Sequence, residues 1–169
     1  MFLGPSSHSC NLSKEFTDCN INVIINCASE IKYNGDDYLN IDISSNVSLI
    51  DFINIISSNE TKYIVLNYNL KKTTETIFVN YGNRPLDMFK DDIDDLVEKI
   101  MTVERLNMNM YFHCDEGISR SPAILIFILM MKDDETFVNT YNFVKSLREC
   151  ILIDENIICE LESLSECSN

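Results

Sequence analysis

The feature that most constrains the fold is a loop set between two apolar segments. Met108 to Phe112 is an apolar run of strand length, and Ala123 to Met131 is apolar on every side of a helix. An apolar run that is too short for a membrane span and has no polar face is typical of a buried central helix. The sequence therefore predicts a strand, a loop over residues 113–122 and a buried helix, in this order.

The loop combines features that suit a single phosphate group. A short loop leading into a helix N-terminus directs backbone N–H groups at one anion, and we expect residues 115–120 to form such a ring. Gly117 permits a tight turn with positive φ. Arg120 follows Cys114 by six residues, so its guanidinium can bind two phosphate oxygens in fork geometry. Pro122 suits the first turn of the helix.

Cys114 is the candidate nucleophile at the centre of this loop. The amides, the helix dipole and Arg120 all favour the thiolate, so the pKa of the thiol is expected to fall. Ser121 is expected to donate a hydrogen bond to the sulfur, and His113 to orient the loop rather than act as a base. A lone cysteine is usually an inert core residue. The spacing of His113, Cys114, Arg120 and Ser121, taken together, favours a catalytic cysteine over an inert one.

Further strands and helices follow from periodicity and composition. Aspartates at 91, 92, 94 and 95 crowd the first turn of one of the helices and favour its N-terminus. The predicted strands are Ile21–Asn26, Tyr38–Ile43, Tyr63–Tyr68 and Ile77–Tyr81, and the predicted helices are Val47–Ile56, Ile93–Met101, Glu135–Arg148 and Glu155–Ser163.

His113-Cys114-Asp115-Glu116-Gly117-Ile118-Ser119-Arg120-Ser121 resembles the signature of the cysteine-dependent protein tyrosine phosphatase superfamily. The Gly-Ile-Ser-Arg-Ser ending resembles its dual-specificity branch. Phe2 to Ser7 resembles the opening strand of that branch, Val23 to Asn26 the next strand, and Arg148 the arginine of the penultimate helix. The stretch from Ser44 to Arg84 is longer than the usual spacing of the family and does not align with it.

The resemblance implies an α/β fold with a central, mostly parallel sheet of about four or five strands and helices on both faces. It implies one dual-specificity phosphatase-like catalytic domain over residues 1–169. It also implies two-step hydrolysis through a thiophosphate on Cys114, without metal or cofactor. The expected phosphate-binding residues are Asp115, Glu116, Gly117, Ile118, Ser119 and Arg120.

The family also uses an aspartate as general acid, on a loop before the helix that precedes the nucleophile strand. Asp87 matches this position, because it precedes the first core residue of that helix, Ile93, by six residues. A carboxylate that caps the helix or is simply solvated remains the alternative for Asp87. Asp42 is the second candidate for the acid, although the acid position of the family would fall on Ser45 in that setting.

The net charge and the cysteine content of the chain limit which binding partners and which cellular compartment are expected. The formal net charge of −14 disfavours nucleic acid, and more weakly phosphoinositide surfaces. Asp115 and Glu116 at the rim of the loop add to this and favour a phosphorylated protein as substrate. Seven cysteines without a signal peptide favour an intracellular, cytoplasmic or nuclear protein that needs no membrane.

Several alternatives remain open at this stage. They are a catalytically weak module that binds phosphoproteins, an RNA 5′-phosphatase and a phosphoinositide phosphatase. The preference for phosphotyrosine or phosphoserine/threonine and the oligomeric state also stay open.

Overall fold

The computed structural model describes residues 1–45, 47–58, 60–68, 70 and 93–166. Within these residues the strands are β1 (Phe2–Pro5), β2 (Val23–Asn26), β3 (Tyr38–Asp42), β4 (Tyr63–Asn67) and β5 (Met110–Cys114). The helices are α1 (Ser6–Cys10), α2 (Lys14–Asp18), α3 (Leu49–Ser58), α4 (Ile93–Arg105), α5 (Arg120–Asp133), α6 (Phe137–Leu147) and α7 (Glu155–Glu166), with a short 3-10 turn at Ile43–Ser45.

The strands form one five-stranded sheet in the order β1-β5-β2-β4-β3. Every pairing is parallel, so the carboxyl ends of all the strands meet at one edge. One row across this edge runs through Gly4, His113, Asn26, Asn67 and Asp42. The open parallel sheet confirms the predicted fold class, and its carboxyl edge is where such folds place binding sites.

Both faces of the sheet are covered, which explains why the strands read as continuous apolar runs. Alternate strand residues point to opposite faces because side chains have a period of two in a strand. The larger core lies against α3 to α7, and the smaller one contains Phe16 of α2 and an aromatic group from the strands and loops. From β2, β4 and β5, Ile24, Val65 and Tyr111 join the smaller core, whereas Val23, Ile25, Ile64, Leu66, Met110 and Phe112 join the larger one.

The central helix α5 is buried over most of its length, as its uniform hydrophobicity predicts. It contacts β5, α6 and α7, so it forms the centre of the larger core. A fully buried leucine, isoleucine or phenylalanine contributes roughly 1.5–3 kcal/mol to such a core. No helix in the described part of the chain is both long and apolar enough to cross a membrane.

Most elements predicted from the sequence are present with shifted ends. The strand expected at Met108–Phe112 is Met110–Cys114, so Cys114 is the last residue of the strand rather than part of the loop. The stretch from 44 to 84 that does not align with the family contributes α3 and β4. The strand predicted at Ile77–Tyr81 lies outside the described residues.

Candidate active site

Cys114 lies at the carboxyl edge of the sheet on a strand flanked by two others. Its strand β5 pairs with β1 on one side and β2 on the other, and Cys114 itself is opposite Pro5. Only 3% of Cys114 is exposed. The residues that follow it therefore begin at the carboxyl ends of three adjacent strands.

The loop after Cys114 turns its backbone carbonyls outward. The carbonyl of Asp115 accepts hydrogen bonds from the backbone N and the Oγ of Ser6, at 2.9 and 3.0 Å. Arg148, which caps the C-terminus of α6, donates to the carbonyls of residues 116 and 117, at 3.3 and 3.1 Å. The N–H of Leu152 donates to the carbonyl of residue 118 at 2.9 Å. Since the N–H of each peptide points away from its carbonyl, the amides are left to face inward, an arrangement that can bind an anion.

Gly117 makes this curl of the loop sterically possible. Its φ of +68° lies in the left-handed region, which residues with side chains rarely adopt. A Cβ at this position would lie 2.3 Å from the carbonyl oxygen of Gly4 in β1. The loop therefore packs directly against the backbone of the neighbouring strand.

The environment of Cys114 favours the thiolate. Burial alone would raise the pKa of the thiol, but hydrogen bonds and charge reverse this and hold the pKa below its ordinary value. The hydrogen bonds come from the side chain and backbone of Ser121 and the backbone of Gly117, and the charge from Arg120. Ser121 Oγ donates to Cys114 Sγ over 3.4 Å. The arrangement can therefore stabilise a thiolate at the base of an anion site.

His113 is held by a chain of hydrogen bonds behind the nucleophile. Its Nδ1 lies 3.2 Å from the carbonyl oxygen of Cys114, and its Nε2 lies 2.8 Å from Tyr33 Oη. Because a carbonyl only accepts, Nδ1 carries the proton and Nε2 accepts from Tyr33. Ser9 Oγ extends the chain, 2.5 Å from Tyr33 Oη. Burial lowers the pKa of His113 to about 4, so the ring is neutral and orients the backbone.

Arg120 is the first residue of α5 and is almost fully buried. Glu30 binds the end of its guanidinium with both carboxylate oxygens, at 2.9 Å from Nη1 and 2.5 Å from Nη2. Nη1 also donates to the carbonyl of Leu70 at 3.1 Å. Burial alone would lower the pKa of Arg120, but Glu30 and Cys114 raise it, so the group is a permanent cation.

Glu30 and Tyr33 both belong to residues 27–33, the loop that follows β2, which we call the support loop. Asn26 anchors it through a hydrogen bond from Nδ2 to the carbonyl of Ile31 at 2.9 Å. Asn40 on β3 donates to the carbonyl of Tyr33 at 2.9 Å. The N–H of Ser29 donates to the same Leu70 carbonyl that accepts from Arg120. The support loop thus connects three strands to the site.

Sequence reasoning missed Glu30 and Tyr33. They are separated in sequence from their partners Arg120 and His113 by 90 and 80 residues, so no spacing relates them. Only a general rule could have pointed to Glu30 and Tyr33. Polar residues that directly follow a buried parallel strand lie at the carboxyl edge of the sheet, where binding sites form.

The two candidates for the general acid have different positions relative to the sheet. Asp87 lies outside the described residues. Asp42 ends the edge strand β3, three strands from β5, which corresponds to about 14 Å at a spacing of about 4.8 Å. Ser45 follows the same strand, with its Oγ donating to the carbonyl of Asp42. Asp42 is therefore too remote to reach a group bound above Cys114.

The chain that leaves β4 passes close to Arg120. β4, not β3, pairs with β2, and the chain that leaves β4 reaches Arg120 through the carbonyl of Leu70. The next residues, up to the start of α4 at Ile93, include Asp87. The chain thus enters this segment beside the site.

The other loop residues that the sequence predicted to bind phosphate lie wholly or partly at the surface. Glu116 is exposed, whereas Asp115, Ile118 and Ser119 are half-buried. Ser119 Oγ accepts from the N–H of Asp154 at 3.3 Å, which ties the loop to the segment before α7. In the described part of the chain, no three His, Cys, Asp or Glu side chains cluster closely enough to hold a metal ion.

Solved structures share this fold over nearly the whole chain. A leucine rich repeat and phosphatase domain containing protein from Entamoeba histolytica superposes with a TM-score of 0.58 at 17% identity, over 98% of this chain and 85% of that one. Human tyrosine phosphatase-like serine/threonine/tyrosine-interacting protein gives 0.60 at 18% identity, over 98% and 90%. Human DUSP28 gives 0.62 at 13% identity, over 98% and 91%. At these identities the likeness shows the fold alone.

Sequence comparison supplies the family. A probable rhodanese domain-containing dual specificity protein phosphatase of Dictyostelium discoideum is 28% identical over 72 residues, which are 43% of this chain and only 15% of that protein. The family model of the dual specificity phosphatase catalytic domain matches residues 1–166, and the chain therefore belongs to this family of phosphatases.

Proposed function

We propose that the chain is a cysteine-dependent phosphatase that removes phosphate from protein side chains, with Cys114 as nucleophile and Arg120 as phosphate clamp. One observation carries the proposal. Cys114, with a lowered thiol pKa, lies at the start of a loop whose carbonyls at residues 115–118 all bond outward. The amides left facing inward suit the equatorial oxygens of a phosphate group placed over the sulfur.

In the first step the Cys114 thiolate attacks phosphorus. The S–P bond forms as the bond from phosphorus to the substrate oxygen breaks, and the leaving oxygen takes a proton from Asp87. The loop amides and Arg120 stabilise the charge that spreads over the phosphoryl oxygens. The product is the dephosphorylated side chain and a thiophosphate on Cys114.

In the second step water attacks the thiophosphate. Asp87, now ionised, accepts a proton from the water as the new P–O bond forms and the S–P bond breaks. Ser121 Oγ, 3.4 Å from the sulfur, stabilises the departing thiolate by a hydrogen bond. Inorganic phosphate is released and Cys114 returns to its starting state. No metal or cofactor takes part in the proposed reaction.

Phosphorylated proteins are the proposed substrates. The family is one of dual specificity phosphatases, which supports both phosphotyrosine and phosphoserine or phosphothreonine as targets. The exposed Glu116 at the rim and the net charge of −14 oppose polyanionic substrates such as RNA or phosphoinositides. A phosphorylated side chain with basic flanking residues fits this rim best.

Binding without turnover is the second candidate. It is supported by the name of one structural neighbour, a tyrosine phosphatase-like protein described as interacting with serine, threonine and tyrosine. Under this reading the inward-facing amides and Arg120 would hold a phosphorylated side chain, and no general acid would be needed.

Hydrolysis of an aryl phosphate by the wild type, Cys114→Ser, Asp87→Asn and Asp42→Asn tests the proposal. We expect Cys114→Ser to abolish turnover and Asp87→Asn to lower kcat about 10²-fold. The Asp87→Asn loss should shrink for an ester with an acidic leaving group, which departs without a proton. Asp42→Asn is the matched control, because it removes a similar carboxylate from the edge strand, and it should keep wild-type kcat.

Two outcomes would contradict the proposal. Folded wild-type protein that binds a phosphopeptide but does not hydrolyse any ester would favour the binding module. A loss in Asp42→Asn rather than Asp87→Asn would move the acid to β3.

A further inference from the structure

A groove lies between α5 and α6, toward the end of α5 that is remote from Cys114, and we call it the α6 groove. It contains a cavity of about 500 Å³. Its lining consists of Leu129, Asp133, Glu135, Asn139, Thr140 and Phe143. Leu129 and Asp133 come from the second half of α5, whereas Arg120 begins this helix at the active site. The α6 groove is therefore separate from the phosphate site.

One side of α6 carries exposed apolar side chains that lead from the α6 groove toward the active site. Phe143 is 56% exposed and Leu147 is 72% exposed. Because they are four residues apart on one helix, they lie on the same face and one turn from each other. Arg148 follows as the C-cap of α6 and donates to the carbonyls of residues 116 and 117 in the loop after Cys114. The apolar surface is therefore continuous in direction with the phosphate site.

The α6 groove is acidic at the end that is farther from the active site. Asp133 and Glu135 provide two carboxylates, and no lysine or arginine of the described residues lines the cavity. Lys132, which precedes Asp133, is bound instead to Glu104 of α4, at 2.5 Å. Asn139 Nδ2 donates to Glu135 Oε2 at 2.9 Å and orients this carboxylate. Such a surface suits a basic side chain, whose apolar stem packs on the groove while its cation meets the carboxylates.

We propose that the α6 groove binds the segment of a phosphoprotein substrate that flanks the phosphorylated residue. An apolar side chain of this segment packs on Phe143 and Leu147, and a basic side chain farther along reaches Asp133 and Glu135. The inference rests on the proposed function, which places a phosphorylated protein side chain over Cys114. Charge complementarity and the direction of the apolar surface toward the phosphate site both favour a substrate segment as the occupant.

The length of α5 sets the spacing of these contacts. Arg120 and Asp133 are the ends of this helix, so at a rise of about 1.5 Å per residue they lie about 20 Å apart. Leu129, which lines the α6 groove with Phe143, lies about 13 Å from the start of the helix. At about 3.3 Å per residue, an extended peptide covers these distances in about six and about four residues. Side chains at the fourth and sixth positions also point to the same side as the phosphorylated residue, because the period of an extended chain is two.

Binding of labelled phosphotyrosine peptides to the Cys114→Ser protein tests the inference without requiring turnover. Fluorescence anisotropy gives the Kd of a peptide with leucine at the fourth and arginine at the sixth position after phosphotyrosine. A second peptide has the same two residues at the same distances before phosphotyrosine, since the groove fixes the spacing rather than the chain direction. The other positions are alanine and glycine. The control peptides carry serine and glutamate in place of leucine and arginine.

Two protein variants in the same background each remove one kind of contact. Phe143→Ala removes the exposed ring, and Glu135→Gln removes a charge but keeps the acceptor of the hydrogen bond from Asn139. Val138→Ala is the matched control for Phe143→Ala, because Val138 is also on α6 and 57% exposed but lies on another face of the helix. Glu98→Gln on α4 is the matched charge control, since Glu98 is exposed and does not line the cavity.

The peptide with leucine and arginine is expected to bind at least about tenfold more tightly than its control peptide in one of the two orientations. Phe143→Ala is expected to raise the Kd of that peptide about tenfold, as truncation of an aromatic contact does. Glu135→Gln is expected to raise it about threefold, because exposed ion pairs are weak. This second effect should disappear when the arginine of the peptide is replaced by glutamine, since residues in contact are not additive. Both control variants are expected to match the Cys114→Ser protein.

Hydrolysis of a small aryl phosphate separates docking from chemistry. Phe143→Ala with Cys114 intact is expected to keep the wild-type kcat/KM for this ester, which does not extend to the α6 groove. A loss with this ester would show that Phe143 acts through the phosphate site, and it would overturn the inference.

Three further outcomes would overturn the inference. Equal Kd values for the leucine–arginine peptides and their controls would show that the groove binds no flanking residues. Equal effects of Phe143→Ala and Val138→Ala would show that the binding does not depend on this side of α6. A wild-type dimer that Phe143→Ala dissociates, measured by analytical ultracentrifugation, would assign the surface to a second copy of the chain. A wild type that hydrolyses no ester, while Cys114→Ser still discriminates between the peptides, would remove the proposed function and leave the docking of a phosphorylated segment standing.

Discussion

The nucleophile loop, residues 113–121, and the support loop, residues 27–33, meet at one edge of the sheet but work in different ways. The nucleophile loop is held mainly through its backbone, whose carbonyls are bonded outward and leave its amides facing inward. The support loop acts through two side chains, Glu30 and Tyr33, on residues of the other loop. Backbone geometry requires a contiguous segment with a defined spacing, whereas side-chain support only requires proximity. Changes in the nucleophile loop are therefore expected to disrupt the chemistry, and changes in the support loop to weaken it in steps.

The largest effect is expected from Gly117→Ala, which tests whether the nucleophile loop depends on one defined backbone conformation. The added Cβ would lie 2.3 Å from the Gly4 carbonyl oxygen at a φ of +68°, so the loop must shift. We expect a loss of about 2 kcal/mol or more in the free energy of unfolding, measured in urea, and a fall of about 10²-fold in kcat/KM.

Gly35→Ala is the matched control for this change. Gly35 also has a positive φ, +108°, but a Cβ there meets nothing within 4 Å. It is expected to cost only about 1 kcal/mol from φ strain and to keep wild-type activity. Equal losses of unfolding free energy in Gly117→Ala and Gly35→Ala would mean that the close contact between residue 117 and β1 does not limit substitution.

Ser121→Ala is expected to have the next largest effect. Ser121 is one of the groups that lower the pKa of Cys114, so its loss raises this pKa toward the ordinary value. A thiolate nucleophile is lost as the pH falls through its pKa, so the acid limb of kcat/KM moves to higher pH. The fall in kcat is expected to be about 10- to 100-fold, because the departing thiolate also loses its donor.

The pH dependence of Cys114 alkylation by iodoacetate measures this shift directly. Ser146→Ala removes an exposed hydroxyl from α6 and serves as the control. An unchanged midpoint in Ser121→Ala would contradict the assigned role of its hydroxyl.

The smallest effect is expected from Tyr33→Phe, which tests whether the loss of one side-chain contact from residues 27–33 weakens activity without abolishing it. The change removes the donor to His113 Nε2 and the partner of Ser9, both buried. We expect a loss of about 1–2 kcal/mol in unfolding free energy and less than about a tenfold fall in kcat/KM. Because the pKa of His113 is about 4, the ring stays neutral from pH 5 upward, so the fall should not vary with pH between about 5 and 8.

Tyr38→Phe is the control, since Tyr38 stacks on Tyr63 but its hydroxyl makes no hydrogen bond to the described residues. A pH-dependent loss in Tyr33→Phe would mean that His113 titrates in the working range. A loss as large as that of Gly117→Ala would remove the distinction between the two loops.

Local patterns in the sequence predicted most of the strands and helices and the candidate residues of the site. The apolar runs predicted β5 and α5, and the spacing of Cys114, Gly117, Arg120 and Ser121 predicted the anion loop between them. The predictions of these elements and of the loop depend on residues that are close in sequence. Their conformations follow steric and periodic rules that apply within one turn or one strand. The resemblance to the dual-specificity branch is confirmed, and so is the α/β fold with a mostly parallel sheet that this resemblance implied.

Only the tertiary structure decided which strands are neighbours and which side chains meet. Asp42 belongs to one predicted strand and Leu70 follows another, and only the order β1-β5-β2-β4-β3 makes Asp42 remote from Cys114 and brings Leu70 to Arg120. Glu30 reaches Arg120 across 90 residues for the same reason. Strand order depends on how the whole core packs, a sum over many long-range contacts that no local spacing encodes.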